Sequence, residues 1–217
     1  MLIVFDLDGT LVDSRQDLAD SANALLADYD LAPLPDHRIV EMVGDGAATL
    51  VQRVCSAAGL RSVPPDALPR FLRLYDARLL NHTRPYPGIR EMLQGAAACG
   101  PMAVLTNKPD AASRAVLRGT DLLGFFQDLV GGDGPWPRKP DPRGLQWLID
   151  KAGEPSVLLV GDSSVDLQTA RAAGVPVCLA RYGFGFASIP PEARTSADSV
   201  IDRPLDLVDL LARWCFD

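Results

Sequence analysis

The feature that most constrains this chain is an apolar run near its start that ends in two aspartates. Leu2–Phe5 is continuously apolar and has two β-branched residues, which is typical of a strand covered on both faces in a parallel sheet. Asp6 and Asp8 follow at i and i+2, a spacing that directs both carboxylates to one side of a continuing strand, and Gly9 allows a sharp turn directly after them. Two close carboxylates repel each other unless a cation lies between them, so the stretch predicts a metal site at the end of a buried strand.

Two other interpretations compete with the metal site. Aspartate and glycine are ordinary turn residues, so an Asp-x-Asp-Gly sequence also occurs in turns that have no function. A calcium-binding EF-hand loop is excluded because Gly9 lies three residues after Asp6 instead of five, and because the twelfth loop position carries Asp17 instead of a bidentate glutamate. The choice between a turn and a metal site therefore depends on the rest of the chain.

The composition narrows the class of protein. With 217 residues, 47% of them hydrophobic, the chain is long enough for a complete α/β core and a smaller second unit. Its net charge of −7 leaves no basic stripe for nucleic acid, and the sequence has no run of about 18 apolar residues that would span a membrane. The four cysteines form no C-x-x-C pair, which favours buried reduced thiols. We therefore expect a cytoplasmic protein that binds neither nucleic acid nor membrane.

The pattern that follows the first motif is helical up to residue 81. Ser14, with Asp17 three residues later, predicts a capping box at the start of the first helix. Apolar residues then recur at helical spacing, interrupted by proline- and glycine-containing loops. Each predicted helix has one apolar stripe, so the helices can bury these stripes against one another as a small bundle.

Beyond residue 88 strands and helices alternate to the end of the chain. The predicted strands are residues 102–105, 129–130, 157–160, 177–180 and a weak edge at 200–201, and the predicted helices are residues 89–98, 110–119, 142–152, 164–173 and 205–214. This alternation predicts an α/β fold with a doubly wound, Rossmann-like parallel sheet, whose sites lie at the carboxyl ends of its strands. The core is then formed by residues 1–13 and 82–217, and residues 14–81 are an inserted α-helical cap.

Three further segments place polar residues at or after the ends of predicted strands. They are Thr106-Asn107-Lys108-Pro109, Arg138-Lys139-Pro140-Asp141-Pro142, and Gly-Asp-Ser-Ser-Val-Asp at 161–166. Together with Asp6 and Asp8, they supply a nucleophile, hydroxyl and amide donors, a cation and further carboxylates. That set matches phosphoryl transfer, which needs positioning and charge neutralisation more than elaborate covalent chemistry.

These four segments, in this order, resemble those of a known family. The chain resembles the haloacid dehalogenase superfamily of Mg²⁺-dependent phosphatases, and within it the bacterial phosphoglycolate phosphatase branch. The segment that begins at Asp6 looks like the first family motif, and the segments around Thr106, Lys139 and Asp162 look like the second, third and fourth. Shorter stretches at 43–47, 131–133 and 182–185 are similar to the phosphoglycolate phosphatase branch.

The resemblance implies a role for each matched residue. Asp6 would attack phosphorus and form an aspartyl-phosphate, and Asp8 would act as general acid and then as general base. Thr106 would bind phosphoryl oxygens, and Lys139 would neutralise charge on Asp6 and on the phosphoryl group. Further substrate contacts are assigned to Gly9, Asn107 and Lys108.

The resemblance also implies a metal ion. Asp6, Asp162 and the carbonyl of Asp8 would hold Mg²⁺, an oxygen-only set that water completes to an octahedron. Asp166 would orient Lys139 or complete the outer shell of the ion. Simpler interpretations stay open: Thr106 and Asn107 as turn residues, Lys108 and Lys139 as surface lysines, and Asp166 as a negative charge at a helix N-terminus.

Individual positions narrow the activity within the superfamily. Dehalogenases lack the second aspartate, so Asp8 argues against them, and phosphonate hydrolases use a cap lysine, of which residues 14–81 contain none. The resemblance therefore implies hydrolysis of a small phosphomonoester, first of all 2-phosphoglycolate. Sugar phosphatase, pyrophosphatase and β-phosphoglucomutase activities stay open, as does a non-catalytic binding module that keeps the fold.

We interpret residues 14–81 as a lid that selects the substrate. The Gly44-Asp45-Gly46 break would enter the site when the lid closes and excludes water. The carboxylate of 2-phosphoglycolate would need a cation from the cap, and Arg53 and Arg38 are the candidates. We expect a monomer or homodimer whose partner is a small-molecule phosphomonoester.

Overall fold

The computed structural model describes residues 1–215, and strands and helices alternate through most of it. The strands are β1 (Leu2–Phe5), β2 (Val12–Asp13), β3 (Arg84–Pro85), β4 (Met102–Leu105), β5 (Asp128–Val130), β6 (Val157–Gly161), β7 (Val177–Ala180) and β8 (Ser199–Ile201). The α-helices are α1 (Arg15–Ala27), α2 (Asp36–Val40), α3 (Ala47–Ala57), α4 (Ala67–Asp76), α5 (Ile89–Ala96), α6 (Asp110–Gly119), α7 (Arg143–Ala152), α8 (Ser164–Ala173) and α9 (Asp206–Cys215). Every strand and helix predicted beyond residue 88 is therefore confirmed to within a few residues.

Six of the strands form one parallel sheet in the order β5-β4-β1-β6-β7-β8. The strand that opens the sequence lies inside the sheet, because Ile3 is paired with Met102 of β4 on one side and with Leu158 of β6 on the other. All four residues of β1 are buried, as its continuous apolar run predicts.

Helices cover both faces of this sheet, which confirms the doubly wound, Rossmann-like core. Ile3 and Phe5 point to a hydrophobic cluster with residues of α5, α6 and α9. Leu2 and Val4 point to the opposite face, where α7 and α8 pack. Successive side chains of a strand alternate between faces, so one apolar tetrapeptide contributes to both halves of the core.

Helices α1 to α4 form a separate hydrophobic cluster, which we call the helical bundle. Its buried side chains include Leu25, Val54, Phe71 and Tyr75. The chain enters the bundle after β2 and leaves it before β3, and these two short strands pair antiparallel, with Asp13 opposite Arg84. The sequence analysis did not predict this ribbon, because two residues per strand, one of them proline, give no periodic signal.

The capping box predicted at the start of α1 is wrong. Ser14 precedes the helix, but its hydroxyl donates to Asp8 Oδ1 at 2.7 Å instead of capping the helix. The carboxylate of Asp17 accepts hydrogen bonds from the amides of His82 and Thr83 and from the Thr83 hydroxyl at 2.7–3.1 Å. Both side chains bind residues that are distant or outside the helix, so local spacing alone misassigns them.

Two expectations from composition can be compared with the described residues. No α-helix in residues 1–215 is long and apolar enough to cross a membrane. Burial is confirmed for Cys55 and Cys178, whereas Cys99 is only partly buried. The side chain of Cys215 lies outside the described part of the chain.

Candidate active site

The carboxyl ends of the central strands meet at one cavity between the sheet and the helical bundle. Polar residues that follow β1, β4 and β6 reach it because these strands are neighbours in the sheet. The lining residues from the core include Asp6, Asp8, Thr106, Asn107, Lys108, Lys139 and Asp162, and those from the bundle include Leu18, Gly44, Leu50, Phe71, Leu72, Tyr75 and Asp76. The structure thus brings together all the candidate catalytic and metal-binding residues.

Lys139 is buried and lies between two carboxylates. Its Nζ is 2.8 Å from Asp6 Oδ1 and 2.6 Å from Asp166 Oδ1. Burial disfavours the charged ammonium, but Asp166 and Asp6 outweigh burial and raise the pKa of Lys139 above its usual value. The interpretation of Lys139 as a surface lysine is therefore wrong.

Asp166 uses its two oxygens for two purposes. Oδ1 accepts from Lys139, and Oδ2 accepts from the Ser163 hydroxyl at 2.6 Å and from the amides of Ser163 and Asp162 at 3.0 and 3.2 Å. Ser163 and Asp166 form the capping box at the start of α8. One carboxylate therefore both contacts Lys139 and fixes the start of a helix, so Asp166 is more than a negative charge at a helix N-terminus.

Three buried carboxylates form a cluster that can hold a metal ion. Asp6, Asp162 and Asp166 each offer one oxygen, and these oxygens lie within 4.8 Å of one another. Burial raises the pKa of Asp6 to about 7, with Asp166 adding to the rise and Lys139 opposing it. Burial, followed by the charges of Asp166 and Asp6, raises the pKa of Asp162 well above its usual value.

A divalent cation fits this cluster. Lys139 contacts Asp6 and Asp166 of this cluster, so a further positive charge would offset the remaining repulsion among the three carboxylates. The donors are oxygens only, which suits a hard cation. The side chain of Asp8 does not belong to the cluster. The assignment of its carbonyl as a ligand stays a prediction.

Asp8 has a different partner, the buried ammonium group of Lys108. Lys108 Nζ lies 3.1 Å from both oxygens of Asp8 and also donates to the hydroxyl of Tyr75, a residue of the bundle. Burial disfavours the charge on Lys108, but Asp8 and Tyr75 raise its pKa above the usual value. The interpretation of Lys108 as a surface lysine is therefore also wrong.

Thr106 and Asn107 are both buried at the end of β4. Thr106 Oγ1 accepts from the amide of Lys108 at 3.2 Å, which orients the hydroxyl at the cavity. The side-chain amide of Asn107 donates to the carbonyls of Gly44 and Lys139, each at 3.0 Å. Asn107 therefore connects the glycine loop of the bundle to the core, a contact that sequence reasoning missed because it depends on how the bundle packs.

Gly9 makes its closest approach to Asp162. Its φ of +93° is unfavourable for side-chain-bearing residues, and a Cβ at this position would lie 2.1 Å from Asp162 Oδ2. The same oxygen accepts from the amide of Gly185 at 2.7 Å, while Oδ1 accepts from the Thr10 hydroxyl at 3.1 Å. Gly9 was predicted as a substrate contact, and the structure shows it allowing the backbone to pack against Asp162.

The two arginines proposed as cap cations are not among the described residues that line the cavity. Arg53 is exposed, forms an ion pair with Asp45 at 2.6 Å and donates to the Met42 carbonyl. Arg38 is also exposed, 3.7 Å from Glu41. An amphipathic helix turns its apolar stripe inward, so these charged side chains lie on the outer surface.

The sequence analysis missed the contact between Tyr75 and Lys108. Tyr75 was expected only as part of an apolar stripe, since helical spacing does not reveal what a hydroxyl contacts.

Comparison with known proteins agrees with this geometry. The haloacid dehalogenase-like hydrolase family matches residues 3–180. A phosphoglycolate phosphatase of Rhodospirillum rubrum is 43% identical over 96% of this chain and 90% of its own length, and one of Cupriavidus necator is 38% identical over 92% and 88%. The crystal structure of a predicted phosphoglycolate phosphatase from Haemophilus somnus superposes with a TM-score of 0.86 at 32% identity, covering 96% of each chain. This chain belongs to the haloacid dehalogenase-like hydrolase family.

Proposed function

We propose that the protein is a Mg²⁺-dependent phosphatase that hydrolyses 2-phosphoglycolate through an aspartyl-phosphate. The observation that carries this proposal is Asp6, held by Lys139 at the end of the central strand and next to the carboxylates of Asp162 and Asp166. The relatives that are named phosphoglycolate phosphatases support the substrate.

In the first step Asp6 displaces the leaving alcohol from phosphorus. An Asp6 oxygen forms a bond to phosphorus while the ester P–O bond breaks, and Asp8 gives its proton to the departing oxygen. The Lys139 ammonium and the Thr106 hydroxyl would contact the phosphoryl oxygens, where negative charge gathers in the transition state. Lys139 is already oriented for this by Asp166.

In the second step water releases phosphate. Asp8 accepts a proton from the water as its oxygen bonds to phosphorus, the bond from phosphorus to Asp6 breaks, and both aspartates return to their starting state. Phosphatases of this family use a divalent metal, and Asp6, Asp162 and the Asp8 carbonyl would hold it. When bound, Mg²⁺ neutralises charge on the carboxylates and on the phosphoryl group.

The helical bundle, which we assign to residues 14–81 with residues 1–13 and 82–217 as the core, would act as a lid. Most of the core residues that line the cavity are polar, whereas the bundle contributes mainly apolar side chains, among them Leu18, Leu50 and Phe71. A closed apolar cover excludes water from the reacting groups and limits the size of the leaving group. This supports a small substrate.

A panel of phosphate compounds tests the proposal. The purified protein is assayed with 2-phosphoglycolate, p-nitrophenyl phosphate, a hexose phosphate and pyrophosphate, with Mg²⁺ and after exhaustive treatment with EDTA. We expect hydrolysis that needs Mg²⁺ and the highest kcat/KM for 2-phosphoglycolate. A preference for the hexose phosphate or for pyrophosphate would identify one of the alternative activities, and no turnover of any compound would identify a binding module.

The nearly isosteric Asp6→Asn variant tests whether Asp6 is the nucleophile. Asparagine keeps the volume of the side chain but removes the nucleophile, so we expect kcat to fall at least about 10⁴-fold, on the scale of losses for removed nucleophiles. Substantial turnover by a folded, metal-loaded Asp6→Asn protein would mean that the nucleophile is elsewhere. The cytoplasmic location and the monomeric or dimeric state stay predictions.

A further inference from the structure

We propose that Lys108, held in place by Tyr75, is the specificity-determining residue that binds the carboxylate of the substrate. This inference rests on the proposed function, because 2-phosphoglycolate differs from a simple alkyl phosphate in having that carboxylate. Among the described residues that line the cavity, Lys108 and Lys139 are the ones with positively charged side chains. Lys139 already faces Asp6 and Asp166, so Lys108 is the cation that is left for a second anionic group.

The position of Lys108 suits this task. Only 3% of its side chain is exposed, so an ion pair formed there is screened little by water and salt. The ammonium group lies 4.3 Å from the centroid of the Tyr75 ring and donates to the Tyr75 hydroxyl, which fixes its direction. Because Tyr75 belongs to the helical bundle and Lys108 to the core, the charged group is fully positioned only when the bundle covers the site.

The hydrogen bonds around Lys108 allow a ligand to enter without leaving Asp8 unpaired. Lys108 Nζ lies 3.1 Å from each of the two Asp8 oxygens, so it donates two hydrogen bonds to one carboxylate. The Ser14 hydroxyl also donates to Asp8 Oδ1, at 2.7 Å. Lys108 can therefore redirect the N–H that it donates to Asp8 Oδ1 toward an oxygen of the substrate. Ser14 would still donate to Oδ1, and Lys108 would still donate to Oδ2.

The length of the substrate matches this arrangement. A general acid must lie within hydrogen-bond reach of the leaving oxygen, so the ester oxygen of the substrate belongs beside Asp8. In 2-phosphoglycolate a single methylene group separates that oxygen from the carboxyl carbon. The carboxylate must therefore lie beside a group that is itself in contact with Asp8. Ser14 and Lys108 both contact Asp8, and Lys108 is the one of the two that carries a positive charge. Longer or uncharged leaving groups would meet Phe71 and Leu72 instead.

A comparison of two substrates of similar size tests the inference. 2-Phosphoglycolate carries a carboxylate, and 2-hydroxyethyl phosphate carries a hydroxymethyl group in its place. Lys108→Met keeps most of the aliphatic stem but removes the charge, so we expect the ratio of the two kcat/KM values to fall about 10- to 100-fold, the range for a lost hydrogen bond between charged groups. Tyr75→Phe should lower the ratio by a smaller factor. The exposed Lys151→Met variant is the control and should keep the wild-type ratio.

The outcomes separate this inference from the proposed function. If Lys108→Met lowers both kcat/KM values equally, Lys108 acts only through Asp8 and its carboxylate-binding role is overturned. If the wild type turns over neither substrate, the proposed phosphatase activity is overturned first.

Lys108 is then tested separately by calorimetry, which measures binding to the Mg²⁺-loaded Asp6→Asn protein. We expect Lys108→Met in that background to weaken 2-phosphoglycolate about 10- to 100-fold and to leave 2-hydroxyethyl phosphate unchanged, and equal Kd changes would overturn the inference. Should Lys108→Met fail to fold, the same measurements on Tyr75→Phe decide.

Discussion

At the scale of single residues, the charge of Lys139 decides whether the carboxylate cluster can exist. Its ammonium group contacts both Asp6 and Asp166 inside the protein. Removing one partner of a buried ion pair leaves uncompensated buried charge, which typically costs about 3–5 kcal/mol, whereas an exposed pair contributes less than about 1 kcal/mol. A lysine in each environment is available in this chain, since Lys151 pairs with Asp128 at the surface.

We therefore expect Lys139→Met to lower the free energy of unfolding by about 3–5 kcal/mol, and Lys151→Met by less than about 1 kcal/mol. Urea denaturation of the two variants beside the wild type measures both values. Equal effects would mean that the buried lysine does not hold the cluster together.

Substitutions at two glycines distinguish the stability that backbone strain costs from the stability that a steric overlap at the site costs. Gly9 and Gly59 share a φ of +93°, but a Cβ at Gly9 would overlap Asp162 while a Cβ at Gly59 has no described atom within 4 Å. We expect Gly59→Ala to cost about 1 kcal/mol for the left-handed conformation alone. Gly9→Ala should cost more than about 3 kcal/mol, because the overlap adds to the same strain. Thermal unfolding checks the difference, and similar losses would show that the approach to Asp162 is not tight.

The site residues differ in how much of their role the sequence reveals. The positions of Asp6 and Asp8 at the cavity could be predicted because both follow one short strand, and that of Lys139 because it stands in a motif, while their catalytic roles stay predictions. The role of Tyr75 could not be predicted, since its helical spacing indicates only burial and its partner Lys108 lies in another part of the fold. Arg53 was proposed from charge alone, which does not specify the face of the helix on which it lies.

At the scale of elements, predictions succeeded where a periodic pattern was long enough. Strands β4 and β7 are buried along their whole length, and both were found from continuous apolar runs. The ribbon of β2 and β3 was missed, and the capping box of α1 was wrong because Ser14 and Asp17 contact residues that a local pattern cannot see. At these places the structure is determined by contacts between residues far apart in the sequence, and not by local secondary-structure propensity.

Asp17 connects two elements, and this connection gives a further prediction. Its buried carboxylate accepts from the amides of His82 and Thr83 and from the Thr83 hydroxyl, so it attaches α1 to the segment that returns to the core. Asp17→Ala leaves these donors without an acceptor and should cost about 3 kcal/mol. Asp20→Ala, on the same helix and at a more exposed position, should stay within about 0.5 kcal/mol. Chemical denaturation measures both, and a small loss for Asp17→Ala would mean that water replaces the carboxylate.

At the scale of the whole molecule, the buried carboxylates link stability to metal and pH. Burial raises the pKa of Asp6 to about 7, so at pH 5 its carboxyl group holds a proton that an incoming ion must displace, whereas at pH 8 it is ionised. We therefore expect Mg²⁺ to raise Tm more at pH 8 than at pH 5. The stabilisation should approach about 2.7 kcal/mol at an ion concentration of 100 Kd. Scanning calorimetry at both pH values checks this, with Asp162→Asn as the variant that should not respond. Equal shifts at the two pH values would argue against binding at the carboxylate cluster.

The place of β1 inside the sheet determines the order in which the chain can be completed during synthesis. Leu2 of β1 is synthesised long before Val157, its partner in β6. The helical bundle has no such delay, because its hydrophobic cluster is built within residues 18–79. In the growing chain β1 therefore lacks this partner while the helical bundle can already assemble, and the site beneath the bundle is completed last.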